Sequence, residues 1–302
     1  MKTVRVYYAG IPAKNTNKEK EQVLRNFHLG VPNGQSTEVK GIDWQPSDLA
    51  VIQGWVHANS GHTPHLMFRR EIIQKQKNTG KHTLAIDSNL FLYKDSNNTK
   101  RYLRFSLNDV FPTTGNYFTD SVDPNRWQQI KHDIGLELQP WRTNGNHILI
   151  CLQRNGGWSM GGLDVMQWCN QTIENIKKYS DRPIVVRAHP GDKKTAEYLK
   201  IKHKNVSISN KHILDDFINC WAVITYNSSP GVAAAVEGIP VFVTDPEPQK
   251  SQAFDVCNVD LSQIENPQRP DRQPWIERLA MSHYNFDDLR SGKAWEVIKK
   301  YL

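Results

Sequence analysis

The stretch that most limits what this chain can become is AVITYNSSPGVAAAVEGIPVFV, residues 222–243. Ala222 to Tyr226 is a short run of strand-forming residues and Ile239 to Val243 is a second, both nearly continuous in apolar side chains. Strands of that kind are buried on both faces, as in parallel sheets covered by helices. Between them Ser229 suits an N-cap, Pro230 the first helical turn and Gly238 the position just past a helix end. The enclosed helix is almost wholly Ala and Val, so it can lie close on the sheet. Such a strand–helix–strand unit leaves Asn227-Ser228-Ser229 at the C-terminal end of a strand, where open parallel sheets take their ligands. Hydroxyls beside a helix start suit a phosphate.

The same alternation runs through the rest of the chain. VRVYYAG (4–10) predicts a first strand, Lys18 to His28 an amphipathic helix, LAVIQG (49–54) a buried strand, about 64–77 a helix, and HTLAIDSNLF (82–91) a strand that runs into Asp87-Ser88-Asn89. Residues 93–146 are aromatic, polar and irregular, and read as the outer part of a first domain with a linker. A second array starts at His147: HILICLQ as strand, RNGGWSMGG as glycine-rich turn, 163–180 as helix, and PIVVRAHPGD as a strand with a polar end. Then TAEYLKIK reads as helix, NVSIS as strand and ILDDFINC as helix before the opening unit. At 302 residues the chain exceeds the size at which one core usually stops growing. The predicted division is 1–145 and 146–302, with the amphipathic segment SGKAWEVIKKYL packing back across the junction. The expected fold class is α/β, two facing Rossmann-like domains with parallel sheets.

Composition excludes several classes. There is no run of about 18 apolar residues and no charged-then-apolar leader, so neither a membrane span nor a signal peptide is expected, and the expected location is the cytoplasm. The four cysteines show no C-x-x-C spacing, which predicts neither a disulfide framework nor a zinc site. The net charge of +7 is uneven: residues 1–150 hold 19 Lys/Arg against 13 Asp/Glu, whereas 151–302 hold 19 against 18. A basic first half suits a polyanionic partner.

In a parallel sheet the loops after residues 153, 187 and 226 share one rim. They carry Arg154, Asn155, Gly156 and Gly157, then Arg187 and His189, then Asn227, Ser228 and Ser229. Backbone N–H groups, two arginines, an imidazole and two hydroxyls suit a diphosphate or nucleoside phosphate. Neither G-x-x-x-x-G-K-[ST] nor G-x-G-x-x-G occurs, which argues against P-loop hydrolysis and the usual dinucleotide site.

RAHPGD (187–192), followed about forty residues later by NSSPGVAAAVEGIPVFV (227–243), resembles the paired His-Pro and Ser-Ser motifs of GT-B glycosyltransferases, above all the bacterial sialyltransferases and Kdo transferases of capsule synthesis. The likeness covers 147–246. It implies an acceptor on the N-terminal domain and a UDP- or CMP-sugar on the C-terminal one, with no further cofactor and no metal. Carried across, His189 would bond or protonate the leaving phosphate, an imidazolium beside it, and Ser228 and Ser229 would hold it. The family's acidic residue after the serines is replaced by Ala233, which leaves Glu237, four residues on, as the donor-binding candidate.

Glycosyl transfer also needs a base for the acceptor hydroxyl. Asp87, at a strand end in the first domain, has that placement, although Asp before Ser-Asn can equally cap a turn. His57, His62 and His65 follow the LAVIQG strand and could face the same cleft, without the fourth ligand a zinc site needs. An acceptor surface is expected from His57, His62, Arg69, Arg70, Arg101 and Arg104, with Lys75, Lys77 and Lys81 and the aromatics Tyr102, Phe105 and Trp127 for phosphate tracking and base stacking. The chain also resembles tailed-phage enzymes that place a sugar on hydroxymethylated pyrimidines in duplex DNA, which in that case would act in the host cytoplasm. Three readings follow: a DNA glycosyltransferase, the same chemistry on capsule or lipopolysaccharide acceptors, and a non-catalytic nucleic-acid-binding protein on a Rossmann-like scaffold.

Overall fold

A computed structural model describes residues 1–11, 18–57, 60–155, 157–192, 194–201 and 203–302. The chain forms two compact units, one of Met1–Ile134 with Glu277–Leu302 and one of Gly135–Ile276. The first begins with β1 (Val4–Tyr7), α1 (Glu19–Gly30), β2 (Ser36–Val39), β3 (Leu49–Gln53), α2 (Pro64–Asn78), β4 (His82–Asp87), β5 (Leu103–Leu107) and α3 (Pro124–Ile134). The second holds β6 (His147–Cys151), α4 (Val165–Ile176), β7 (Ile184–Arg187), α5 (Thr195–Tyr198), β8 (Val206–Ser209), α6 (Ile213–Asp216), β9 (Cys220–Thr225), α7 (Pro230–Val236) and β10 (Val241–Val243). The chain closes with α8 (Gln273–Ala280), β11 (His283–Tyr284), α9 (Phe286–Arg290) and α10 (Lys293–Ile298).

The second unit is a five-stranded parallel sheet in the order β10-β9-β6-β7-β8. Every residue of β9 is buried, as its unbroken apolar sequence requires. Ile148, Ile150, Ala222, Ile224 and Phe242 form one face of the core, against Trp168, Cys169, Ile173 and Ile176 of α4. α7 packs all its Ala and Val side chains inward.

The first unit's sheet runs β11-β5-β4-β3-β1-β2. β1 to β4 are parallel, but β4–β5 and β5–β11 pair antiparallel, so this sheet is mixed rather than purely parallel. β5 lies in the stretch expected to be irregular. Its sequence LRFSL alternates apolar and polar residues, yet all five, Arg104 and Ser106 included, are buried. Val4, Val6, Leu49, Val51, Leu84 and Ile86 pack against Val23, Leu24 and Phe27 of α1, and each such buried side chain contributes about 1.5–3 kcal/mol.

The unit boundary differs from the expected 145/146. The break falls at 134/135, and residues 277–302 belong to the first unit. Three contacts explain the placement. His283 and Tyr284 pair with Arg104 and Leu103, Trp295 meets Phe27 edge-on at 6.5 Å, and the buried Arg126 and Asp288 form an ion pair at 3.0 Å. Pairing over some 160 to 270 residues leaves no local trace in sequence.

Candidate functional site

In the second unit β7 and β8 extend to one side of β6, and β9 and β10 to the other. The strand order therefore reverses between β6 and β9, the place where open α/β sheets form a ligand crevice. Cys151 pairs with Arg187 on one side and with Thr225 on the other, so the loops after all three strands leave from one level.

A buried polar knot organises this rim. The Asn227 N–H donates to Gln153 Oε1 at 3.0 Å, and Gln153 Nε2 donates to Ser159 Oγ at 2.7 Å. Asn227 Nδ2 donates to the Ser159 carbonyl at 3.0 Å and to Asp245 Oδ2 at 2.6 Å. Asp245 Oδ1 in turn accepts the Glu247 N–H at 2.9 Å. Asn227 is thus a brace that fixes the loop after β9 to those after β6 and β10. Gln153 and Asp245 were missed in the sequence, where each follows an apolar run with no motif around it, whereas Ser159 lies in the glycine-rich turn RNGGWSMGG. Beside Asp245 a groove of about 510 Å³ opens, with Tyr179, Thr244, Pro248, Asp260 and Leu261 on its walls.

The brace presents two hydroxyls. Ser228 Oγ is buried with no hydrogen-bond partner among the described residues. Ser229 does not cap α7: its backbone is already helical (φ −56°, ψ −25°) and its side chain makes no capping bond. α7 has only seven residues, so its terminal dipole is a small part of the site and the side chains carry it.

On the other flank His189 Nδ1 accepts the Gly191 N–H at 2.9 Å. In the neutral ring that bond leaves the proton on Nε2, facing away as a donor. Burial, reinforced by the Arg154 guanidinium, holds the imidazole below its usual pKa. Without a ligand the ring is thus held toward its neutral form, with the Arg154 guanidinium as the positive charge beside it. That guanidinium lies so close over Gly191 that a Cβ there would sit 2.5 Å from Arg154 Nη2 and 3.1 Å from His189 Cε1. Asp192 Oδ2 accepts the Asn155 N–H at 3.0 Å and ties the β6 and β7 loops together. Gly157 closes a turn onto the Arg154 carbonyl at 3.1 Å, and Gly156 lies outside the described residues.

Two expected donor ligands are elsewhere. Arg187 donates to Asp216 Oδ2 at 2.8 Å and to the Lys211 carbonyl, and its side chain is only 12% exposed, so it is committed to a structural ion pair. Glu237 sits at the C-terminal end of α7, roughly 10 Å along the axis from the serines.

In the first unit the strand order reverses between β1, with β2 on its outer side, and β3. Gly10 and Gly54 follow these strands, and Asp87 ends β4. Asp87 Oδ1 accepts the Ser88 N–H at 2.7 Å and Oδ2 accepts from Arg104 Nη2 at 2.7 Å, which combines the turn-capping role with an ion pair. Arg69 and Arg104 are buried rather than on an open surface. Tyr102, Phe105 and Trp127, expected to stack bases, are core residues at 0–2% exposure. Arg70 donates to the Ser60 carbonyl at 2.9 Å. Arg101 stands exposed at φ +57°, 3.7 Å from Glu19. His57 packs on Phe111 with ring centroids 5.5 Å apart, and His62 is exposed. Lys75 and Lys81 are exposed but paired with Glu71 and Asp48. Among the described residues no three His, Cys, Asp or Glu side chains are grouped to hold a metal ion, and no helix is long and apolar enough to cross a membrane.

No family model matches the chain, and no curated protein matches its sequence. Its fold, however, is that of two solved structures. The Thermosulfurimonas dismutans KpsC beta Kdo 2,4 transferase superposes with a TM-score of 0.57 at 14% identity, over 93% of this chain and 89% of that one. The beta Kdo 2,7 transferase of the same KpsC superposes with a TM-score of 0.55 at 12% identity, over the full length of both. At such identities the likeness establishes the α/β Rossmann-like fold and leaves the chemistry to be argued from the site.

Proposed function

We propose that this chain is a nucleotide-sugar-dependent glycosyltransferase whose second unit holds the donor. The observation that carries the reading is a set of donors gathered at the second unit's strand reversal: the Ser228 hydroxyl, buried with no partner among the described residues, the non-capping Ser229, the Nε2–H of His189 and the Arg154 guanidinium. Breaking the bond between the anomeric carbon and the phosphate oxygen leaves negative charge on that oxygen. Fixed N–H and O–H dipoles with one cation stabilise the charge where it develops, which is the largest contribution most such sites make. The fold shared with the two Kdo transferases is consistent with this use.

The acceptor oxygen forms the new bond to the anomeric carbon as the nucleotide leaves, and its proton goes to a base. Asp87 is the proposed base; both its oxygens already accept one hydrogen bond, and each keeps a lone pair for the hydroxyl. For the acceptor, the burial of Arg69, Arg104 and the three aromatics removes much of the face that duplex DNA would need. That favours a capsule or lipopolysaccharide glycan over a hydroxymethylated pyrimidine in DNA. Nucleotide sugars are cytoplasmic metabolites, and the cytoplasm is the proposed place of action.

The test is incubation with a panel of UDP- and CMP-sugars, with either an oligosaccharide or hydroxymethylated duplex DNA as acceptor, followed by mass spectrometry and release of free nucleotide. A sugar-sized mass gain on the oligosaccharide, lost in His189→Ala, is expected. Gain on the DNA instead would restore the DNA reading, and no turnover of any donor would remove the transferase.

A further inference from the structure

We propose that the first unit binds an anionic group at its own strand reversal, on the guanidiniums of Arg69 and Arg104 beside Asp87, so that the acceptor carries a carboxylate or phosphate close to its reacting hydroxyl. The link to an acceptor rests on the glycosyltransferase reading; the anion site itself does not.

Arg69 comes from α2 and is 7% exposed. Its Nη1 donates to the carbonyls of Gln53 and, at 3.0 Å, Gly54, and its Nε to that of His65 at 3.4 Å. These are dipoles, and among the described residues no carboxylate forms a salt bridge with it. A charge buried against carbonyls alone is costly to keep, and burial pulls this guanidinium down to about 10. The carboxylate that acts on it is Asp87, already bound by Arg104 at 2.7 Å. Arg104 is also buried, and its Nε has no partner among the described residues. Two buried guanidiniums therefore share one carboxylate, which leaves one positive charge unbalanced. Residues 12–17, 58–59, 156, 193 and 202 contain no Asp or Glu, so no counter-charge comes from the remainder of the chain.

The strand ends are shaped around this cation. A Cβ on Gly10, past the end of β1, would lie 2.8 Å from Arg69 Cγ. One on Gly54, past the end of β3 and at φ +81°, would lie 2.7 Å from Arg69 Nη1. Glycine at both positions gives the guanidinium its path into the crevice where parallel sheets bind ligands. Access is through Asp87, whose side chain is 35% exposed. An anion seated there would complete the charge balance and accept from Arg69 Nη2, the nitrogen not committed to a carbonyl among the described residues.

The experiment is calorimetric titration of the full chain, with no donor present, with glucuronate, glucose 6-phosphate and neutral glucose. Either anion is expected to bind at least about tenfold tighter than glucose, and the tighter of the two tells a sugar acid from a phosphorylated acceptor. Arg69→Gln, checked for folding by circular dichroism, should weaken the anions about tenfold or more and leave glucose unchanged. If that variant does not fold, Arg69→Lys, which keeps the charge and loses the Nη2 donor, should give a smaller loss. Equal binding of glucose and both anions, or unchanged anion binding in the folded Arg69 variants, overturns the site. Competition of the anions by duplex DNA would reassign the crevice to nucleic-acid phosphate. Anion binding without donor turnover would leave the site standing and remove only the transferase.

Discussion

The two strand reversals of this molecule are built from the same topology and furnished in opposite ways. In the second unit polar side chains satisfy one another in a buried brace, Gln153, Asn227 and Asp245, and beside it stand the Ser228 and Ser229 hydroxyls, the His189 imidazole and the exposed Arg154 guanidinium. In the first unit the crevice is lined by a charge, Arg69, which hydrogen-bonds carbonyl dipoles and shares its one carboxylate, Asp87, with Arg104. One end is therefore suited to charge that develops during a reaction, and the other to charge that a ligand brings with it. Two of the histidines with lowered pKa values repeat the contrast. His189 is poised at a rim beside Arg154, whereas His283 is at 0% exposure, accepting the Leu90 N–H at 3.3 Å as part of the core.

The largest effect expected is on catalysis. His189→Ala should lower the transfer rate by about 10²- to 10⁴-fold, read as nucleotide release, with the melting temperature unchanged. A drop in stability with normal activity would make His189 structural and erase the contrast with His283. Next is Arg187, which belongs to the scaffold and not to the donor. Asp216→Ala should strand its buried charge and destabilise the chain by about 3–5 kcal/mol in denaturant unfolding. A change in donor KM with stability intact would return Arg187 to the site.

Acid should act through His283. Its folded-state pKa is lowered from 6.5 to about 3 by burial, so the unfolded chain binds the extra proton between those values. The stability that depends on a neutral His283 is complete above about pH 6.5 and is lost progressively as pH falls toward 3. Melting curves should show that slope, and His283→Gln should flatten it; an unchanged slope would mean other groups dominate acid unfolding. Smaller again is Ser228→Ala, which removes a hydroxyl with no internal partner. It should raise donor KM about tenfold and cost no stability, whereas a merely structural serine would show the reverse. The smallest effect belongs to Glu237→Gln, at the far end of α7, where donor KM should not move.

Much of the second unit was legible because its signals are local. Val and Ile runs, a Pro–Ala–Val helix and a terminating glycine each act within about ten residues, and all reappear as β9, α7 and β10. The rim loops were legible for the same reason. The first unit was read less well: β2, β5 and α3 were absent from the sequence reading, and β11 finds its partner β5 across the whole second unit.

The sequence by itself determined the alternation of strand and helix, the two-array plan and the hydroxyl-and-imidazole rim, since hydrophobic period and turn chemistry are properties of neighbouring residues. Only the tertiary structure decided which charges are available. Arg69, Arg104, Arg154 and Arg187 look alike in a list of basic residues, yet one lies open on a rim, two are tied to carboxylates and one is buried with none. A guanidinium's role is set by the partner it meets in space, and those partners lie 17 and 29 positions away for the two that are paired.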